Sequence, residues 1–319
     1  MGKKQSKQKV LSTERSKVIQ HYNPVTSLDF YQEYVLAANS VGNIDCYDVE
    51  SKNKISQYSP HQAEVTQVVS HPSHIGFFSS SRDKVICFNS FDTQVIQKYE
   101  DHKLVVTALS TNQDGTQMVS GSRDCTVKLW DVSTKCVLKS SSIAQNMVTD
   151  IKWSHENNLI FQSSEDRSTK LMDPKTLFVV SCLPKKNYFQ TCLDVSSFNL
   201  VTGSTGCNGT GCELVVWDIR QLKSLYTIIN SHAEKLTDCK FLKTFSNDTC
   251  IVTSSLDSTI KVWESDLSAS IDAYSISTGK GVTSLAVSMT LNRIAVGTFE
   301  YGLHMFDFTM KKFNPLYIL

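Results

Sequence analysis

No apolar run in this chain approaches the ~20 residues that a helix needs to cross a bilayer. The longest are of the kind Leu177-Phe178-Val179-Val180. No charge of one sign dominates either, with 32 Lys and Arg against 31 Asp and Glu. A nucleic-acid binder clusters Lys and Arg on its folded body; that is missing here, so no nucleic-acid partner is expected. Cysteine is plentiful but unpatterned. The ten, at positions 46, 87, 125, 136, 182, 192, 207, 212, 239 and 250, show neither the framework of a disulfide scaffold nor paired metal-ligand spacing. With no apolar h-region or cleavage site at the start, the expectation is a cytoplasmic protein with reduced, largely buried thiols. The sequons Asn208-Gly209-Thr210 and Asn247-Asp248-Thr249 then carry no sugar. No metal or cofactor is expected.

At 319 residues the chain is long enough for two average domains or one large β unit. Self-similarity decides between them. Residues 105–140, "VVTALSTNQDGTQMVSGSRDCTVKLWDVSTKCVLKS", hold three alternating apolar runs and a short fourth, joined by Asp-Gly and Ser-Arg-Asp turns. This is the pattern of four antiparallel strands. An opening threonine recurs at Thr26, Thr66, Thr107, Thr149, Thr191, Thr237 and Thr283, spaced 40 to 46 residues apart. A large apolar or aromatic residue closing the third strand keeps the same phase: Tyr47, Phe88, Trp130, Met172, Trp217, Trp263 and Phe306. Two markers holding phase seven times exclude coincidence.

These residues resemble the WD40 repeat, whose period is about 40–45 residues with four strands per unit. The resemblance implies an all-β, seven-bladed WD40 β-propeller over residues 17–319, behind a flexible basic tail at 1–16. A blade alone cannot bury both faces, so neighbours must stack into a ring. Closing that ring is expected to need one blade built from both chain ends. Lys17–Tyr22 and Phe313–Leu319 compete for the missing outer strand. Pro315, which cannot donate a backbone hydrogen bond, favours the N-terminal segment.

The resemblance also implies a buried structural relay of His, Ser or Thr, Asp and Trp. His102, Ser120, Asp124 and Trp130 fit it, as do His232, Thr253, Asp257 and Trp263. His61, Ser79 and Asp83 form a truncated set, with Phe88 where Trp belongs. Gln162 and Met172 break it in the fourth repeat, and Val296, Glu300 and Phe306 in the seventh. A Ser-His-Asp trio that recurs is scaffold, because a catalytic triad is needed once. No Gly-x-Ser-x-Gly elbow is present. No catalytic residue, and no enzyme, is expected.

The stretch "GSTGCNGTGCELVVWDIRQ", residues 203–221, resembles a site but lacks the parts of one. It has no Gly-Lys-Ser/Thr, no third glycine of a dinucleotide fingerprint and no second Cys/His pair beside Cys207 and Cys212. It reads as an inserted turn of the fifth blade. In WD40 propellers this turn opens on the narrow face, where partners dock. Arg82, Arg123, Glu165 and Leu256 precede the turn acids of other blades and are expected around the same mouth. Together with Asn208 and Thr210 of the insertion, they are the candidate partner-binding residues. Exposed arginines there favour an acidic or phosphorylated segment.

The N-terminus adds a second theme. "MGKKQS" satisfies the acceptor pattern for myristate on Gly2. Lys3, Lys4, Lys7, Lys9, Arg15 and Lys17 against Glu14 leave residues 1–20 at +5. The whole chain is +1, so the remainder is −4. One acyl chain binds membranes marginally, at about 10⁴ M⁻¹. Lys3, Lys4, Lys7 and Lys9 supply the second signal, up to about 1 kcal/mol each at an anionic surface.

The expected function is a monomeric, non-enzymatic scaffold for other proteins, held peripherally on a cytoplasmic membrane. The likeness of the fifth-blade insertion to one branch of the family implies a trafficking role at cilia. The alternative is a substrate receptor of a cullin-type ubiquitin ligase, with Trp217, Asp218 and Arg220 as a WDxR adaptor box.

Overall fold

The computed structural model describes residues 23–92, 96–142, 144–206, 210–243, 249–276, 281–288, 290–300, 302–309 and 312–318. They form seven four-stranded antiparallel sheets, each built from four consecutive strands. The blades span residues 25–58, 65–100, 106–141, 148–182, 190–228, 236–275 and 282–318. This is a seven-bladed propeller.

Local chemistry fixes the turn between the second and third strands. In blade 3 the Asp124 amide donates to Ser122 Oγ at 3.0 Å, and Asp124 Oδ1 accepts from the Thr126 amide at 2.9 Å. The residue between, Cys125, takes φ 65°. Ser81-Asp83, Ser164-Asp166 and Ser255-Asp257 repeat both bonds. A short polar side chain satisfying its own turn backbone is the reason Ser-x-Asp recurs there.

The opening threonines act between blades. Thr66, Thr107 and Thr149 donate through Oγ1 to the carbonyls of Val106, Val148 and Gln190 on the next blade, at 2.5, 2.6 and 2.8 Å. Other inner-strand side chains accept the next blade's amides: Ser27 from Val68, Ser110 from Trp153, Asp150 from Leu193, Asp194 from Phe241 and Asp238 from Leu285. Backbone groups at the hub are thus paired by the neighbouring blade. The charge of the last three acids is met by Lys240, whose Nζ donates to Asp238 Oδ1 at 2.8 Å. Burial pulls the Lys240 pKa down, but Asp238, Asp194 and Asp150 outweigh it and hold it well above the usual lysine value.

Apolar residues fill the wedges between blades. Phe78, Ile86, Phe88 and Tyr99 of blade 2 pack with Val106, Leu109, Met118 and Trp130 of blade 3. Met172 fills the corresponding place in blade 4 and is fully buried with Val119, Val127 and Leu129 of blade 3.

Ring closure differs from the expectation. No described blade mixes strands from both chain ends. Lys312–Ile318 completes blade 7 from the C-terminal side, antiparallel to Leu303–Thr309. Pro315 is accommodated because this strand is an edge, where a missing N–H is harmless. The ring closes through side chains instead. Val25, Leu28, Val35 and Tyr47 of blade 1 pack on Ala286, Ala295, Leu303 and Met305 of blade 7. The proposed tail, including Gly2, Lys3, Lys4, Lys7 and Lys9, lies outside the described residues, as do Lys17–Tyr22.

Candidate protein-docking face

The relay is continuous in blades 3 and 6. His102 Nδ1 lies 3.0 Å from Asp124 Oδ2, and its Nε2 lies 2.7 Å from Ser120 Oγ, which also accepts from Trp130 Nε1 at 2.8 Å. His232, Asp257, Thr253 and Trp263 repeat this at 3.2, 2.8 and 2.9 Å. Burial lowers the pKa of both histidines, so they are neutral at pH 7. One tautomer then satisfies every partner: Nδ1–H donates to the carboxylate, and Nε2 accepts the hydroxyl proton. Ser120 and Thr253 have no exposed surface. A nucleophile sealed in this way cannot meet a substrate, so this trio is architecture.

In blade 2, His61 bridges Asp83 and Ser79 at 2.9 and 2.8 Å. The indole's role falls to Asn89, whose Nδ2 donates to Ser79 Oγ at 3.3 Å. In blade 4, Gln162 takes the place of the relay serine and is buried with neither amide atom hydrogen-bonded. Asp166 is satisfied by Lys170 Nζ at 2.9 Å and by the Gln145 amide.

Blade 5 replaces the relay with charge. The relay histidines stand five residues before the opening threonine, and at that offset from Thr191 stands Lys186. Its Nζ is 3.5 Å from Glu213 Oε2 and 5.2 Å from the centre of the Trp217 ring. Trp217 Nε1 still donates to Thr202 Oγ1 at 2.9 Å. The fixed offset is the sequence signal that would have found Lys186.

The first turn residue has the same backbone setting in five of the blades. Arg82, Arg123, Glu165, Thr205 and Leu256 donate their amides to the carbonyls of Glu64, Val105, Met147, Phe189 and Lys235, at 2.9 to 3.1 Å. Four of these are the expected partner-binding positions, and the structure sets them in equivalent places. Thr205 is the fifth, hidden in the sequence by the insertion. Arg82 is engaged by Glu64, Nε to Oε2 at 2.9 Å. Arg123 is exposed and has no ion pair among the described residues.

The insertion is tied down at its C-terminal half. Gly211 N donates to Asn230 Oδ1 at 2.6 Å, and Ser231 Oγ to the Cys212 carbonyl at 2.7 Å. Gly211 has φ 86°, and a Cβ there would lie 2.1 Å from the Tyr188 ring. Glycine is therefore required where Tyr188 packs on the loop. Cys212 is buried and donates to the Glu234 carbonyl. Thr210 is exposed. Asn208 and Cys207 lie outside the described residues.

Of the alternative adaptor box, Trp217 and Asp218 are buried, at 2% and 4% exposure. Only Arg220 projects, on the opposite face. It is held by Asp218 at 3.1 and 3.2 Å and stacked 4.7 Å from the Phe198 ring.

Seven sheets, a repeating His-Ser/Thr-Asp-Trp relay and a ring of turn residues define a seven-bladed WD40 propeller. The WD domain, G-beta repeat family matches residues 52–88, 93–131 and 222–264, which cover most of blades 2, 3 and 6. The chain is 24% identical to histone acetyltransferase type B subunit 2 of Candida glabrata over 81% of its length and 64% of that protein's. It is 25% identical to eukaryotic translation initiation factor 3 subunit I of Nematostella vectensis, over 74% of this chain and 73% of that one. A ribosome biogenesis protein WDR12 homolog of Drosophila sechellia is 28% identical over 52% of this chain and 38% of its own. The chain thus spans under two thirds of the first of these relatives. It carries WD40 repeats, and two of these relatives are named as subunits and one as a ribosome biogenesis protein.

Proposed function

We propose that this chain is a non-enzymatic protein-interaction scaffold that binds its partner on the narrow face. The observation that carries this is the division of polar groups. The recurrent relay residues are buried and mutually bonded, whereas Arg123 is exposed and has no ion pair among the described residues. Relatives named as subunits of larger factors agree with such a role. The wide-face WDxR reading is disfavoured, because Asp218 and Phe198 already engage Arg220.

The finer reading adds a membrane. Myristoylated Gly2 and the lysines behind it tether the propeller to a cytoplasmic leaflet. The opening "MGKKQSK" and the insertion read from Gly209 to Gln221 resemble WD repeat-containing protein 31; from that likeness we carry over trafficking at cilia. Proximity labelling in cells tests both parts, comparing wild type with Gly2→Ala and Arg123→Glu. The reading expects Gly2→Ala to lose membrane neighbours and Arg123→Glu to lose a protein set at unchanged location. Identical neighbours in all three would overturn it.

A further inference from the structure

The family match lapses over residues 132–221, which include blade 4 and the first three strands of blade 5. Blade 4 has Gln162 for the relay serine, blade 5 has Lys186 for the histidine, and the enlarged turn follows. Between these two blades the narrow face is indented by a cleft of about 520 Å³. Its walls are chemically distinct. Arg167 and Lys185 line it, both exposed and without an ion pair among the described residues. Phe189 and Tyr188 form an apolar side, and Phe189 is 45% exposed. Glu165 and Thr205 also line it.

The backbone there is fixed rather than loose. The Lys186 amide donates to the Arg167 carbonyl at 3.1 Å, locking the blade 4 turn to the connection into blade 5. Tyr188 is pinned on Gly211. Gln190 Nε2 donates to the Tyr188 carbonyl at 3.0 Å. A rigid aromatic surface beside cations loses little conformational entropy on binding, as an anchor site requires. Neighbouring charges are already cancelled: Asp166 by Lys170, Glu213 by Lys186. That leaves Arg167 and Lys185 against the single Glu165, so the cleft attracts negative charge.

We propose that this cleft is the specificity pocket of the docking face. It takes an extended peptide in which an acidic residue engages Arg167 and Lys185 while an adjacent aromatic or branched apolar residue packs on Phe189. The inference rests on the narrow-face reading and narrows it to one inter-blade position and one partner chemistry. A carboxylate reaching two cations gains charge-assisted hydrogen bonds, and the apolar neighbour gains burial.

The test uses random twelve-residue peptides displayed on phage, selected on the purified full chain. The proposal expects enrichment of peptides with Asp or Glu next to an aromatic or branched apolar residue. For a synthetic peptide of that consensus, the paired substitution Arg167→Glu, Lys185→Glu should weaken binding at least tenfold. Phe189→Ala should weaken it about fivefold, and Lys223→Glu, on the exposed outer strand of blade 5, less than twofold. Circular dichroism of each variant excludes misfolding. Binding lost in Arg123→Glu but kept in the paired variant would overturn the cleft and leave the narrow-face reading standing. Selected peptides indifferent to every one of these substitutions would overturn both. A failure to enrich any acidic peptide would overturn the cleft proposal.

Discussion

Thr283 Oγ1 donates to the Val25 carbonyl at 2.5 Å, although 258 positions separate the two residues. The same bond joins blades 2 to 3, 3 to 4 and 4 to 5 through Thr66, Thr107 and Thr149. Here it closes the ring without exchanging a strand. Thr283→Val keeps the shape and leaves a buried carbonyl unpaired, a cost of roughly 1–3 kcal/mol. Native-state hydrogen exchange should show faster opening in Val25–Tyr31 and Val282–Ser288 than in blade 3. Uniform acceleration in all blades would refute this local role.

Ser120→Ala should be the more damaging change at the relay. It orphans His102 Nε2 and the Trp130 N–H together, at roughly 1–3 kcal/mol for each group. Ser120→Thr should be tolerated within about 1 kcal/mol, because Thr253 fills the same role in blade 6. Equal urea midpoints for the Ala and Thr variants would show that the hydroxyl is idle.

Acidification should loosen the same network. Burial keeps His102 and His232 below the ordinary histidine value, against the pull of Asp124 and Asp257. Burial also pushes Asp124 up, but hydrogen bonds from Thr126, the Lys103 amide and His102 bring it down to about 2. Asp257 is depressed in the same way. Each group binds its proton less readily folded than unfolded, so the unfolded chain takes up more protons and stability falls with pH. The loss starts near the unfolded histidine value of ~6.5 and deepens through ~3.9. A thermal midpoint that is unchanged or higher at pH 5 than at pH 7.5 would contradict this.

Gln162→Met should raise stability by about 1 kcal/mol, because it replaces a buried amide with no partner by an apolar chain of similar length. A lower urea midpoint would mean that the amide is satisfied in solution.

Lys240→Met should be destabilising, by roughly 1–3 kcal/mol, since it removes one partner of a half-buried, charge-assisted hydrogen bond. Asp238 loses its ammonium, and the nearby Asp194 and Asp150 lose their counter-charge. Lowering the pH should partly rescue the variant by protonating Asp150, whose carboxyl burial holds above the usual range. A variant as stable as wild type at pH 7.5 would refute the counter-ion role.

Blade number, strand order and the relay of blades 3 and 6 were legible in the linear pattern. Each depends on alternation within a strand or on a turn that closes on itself, as at Ser122-Asp124. The turn residues Arg82, Arg123, Glu165 and Leu256 were legible because they keep a fixed offset from those turns. Thr205 was not, since the insertion shifts the count. The cleft was hidden for another reason: Arg167 and Lys185 belong to different blades, and neither sits in a recurring motif.

A repeat written seven times specifies seven sheets and which side chains each must bury, because those demands are met within some forty consecutive residues. Which end of the chain completes the last blade is settled by contacts between blades 1 and 7, where Tyr317 reaches the Val49 carbonyl. Substitutes for missing relay members, Asn89 for an indole and Lys186 for an imidazole, likewise emerge from packing. Their partners lie on other strands or loops, and hydrogen bonds there are chosen by proximity in space, which a linear period does not encode.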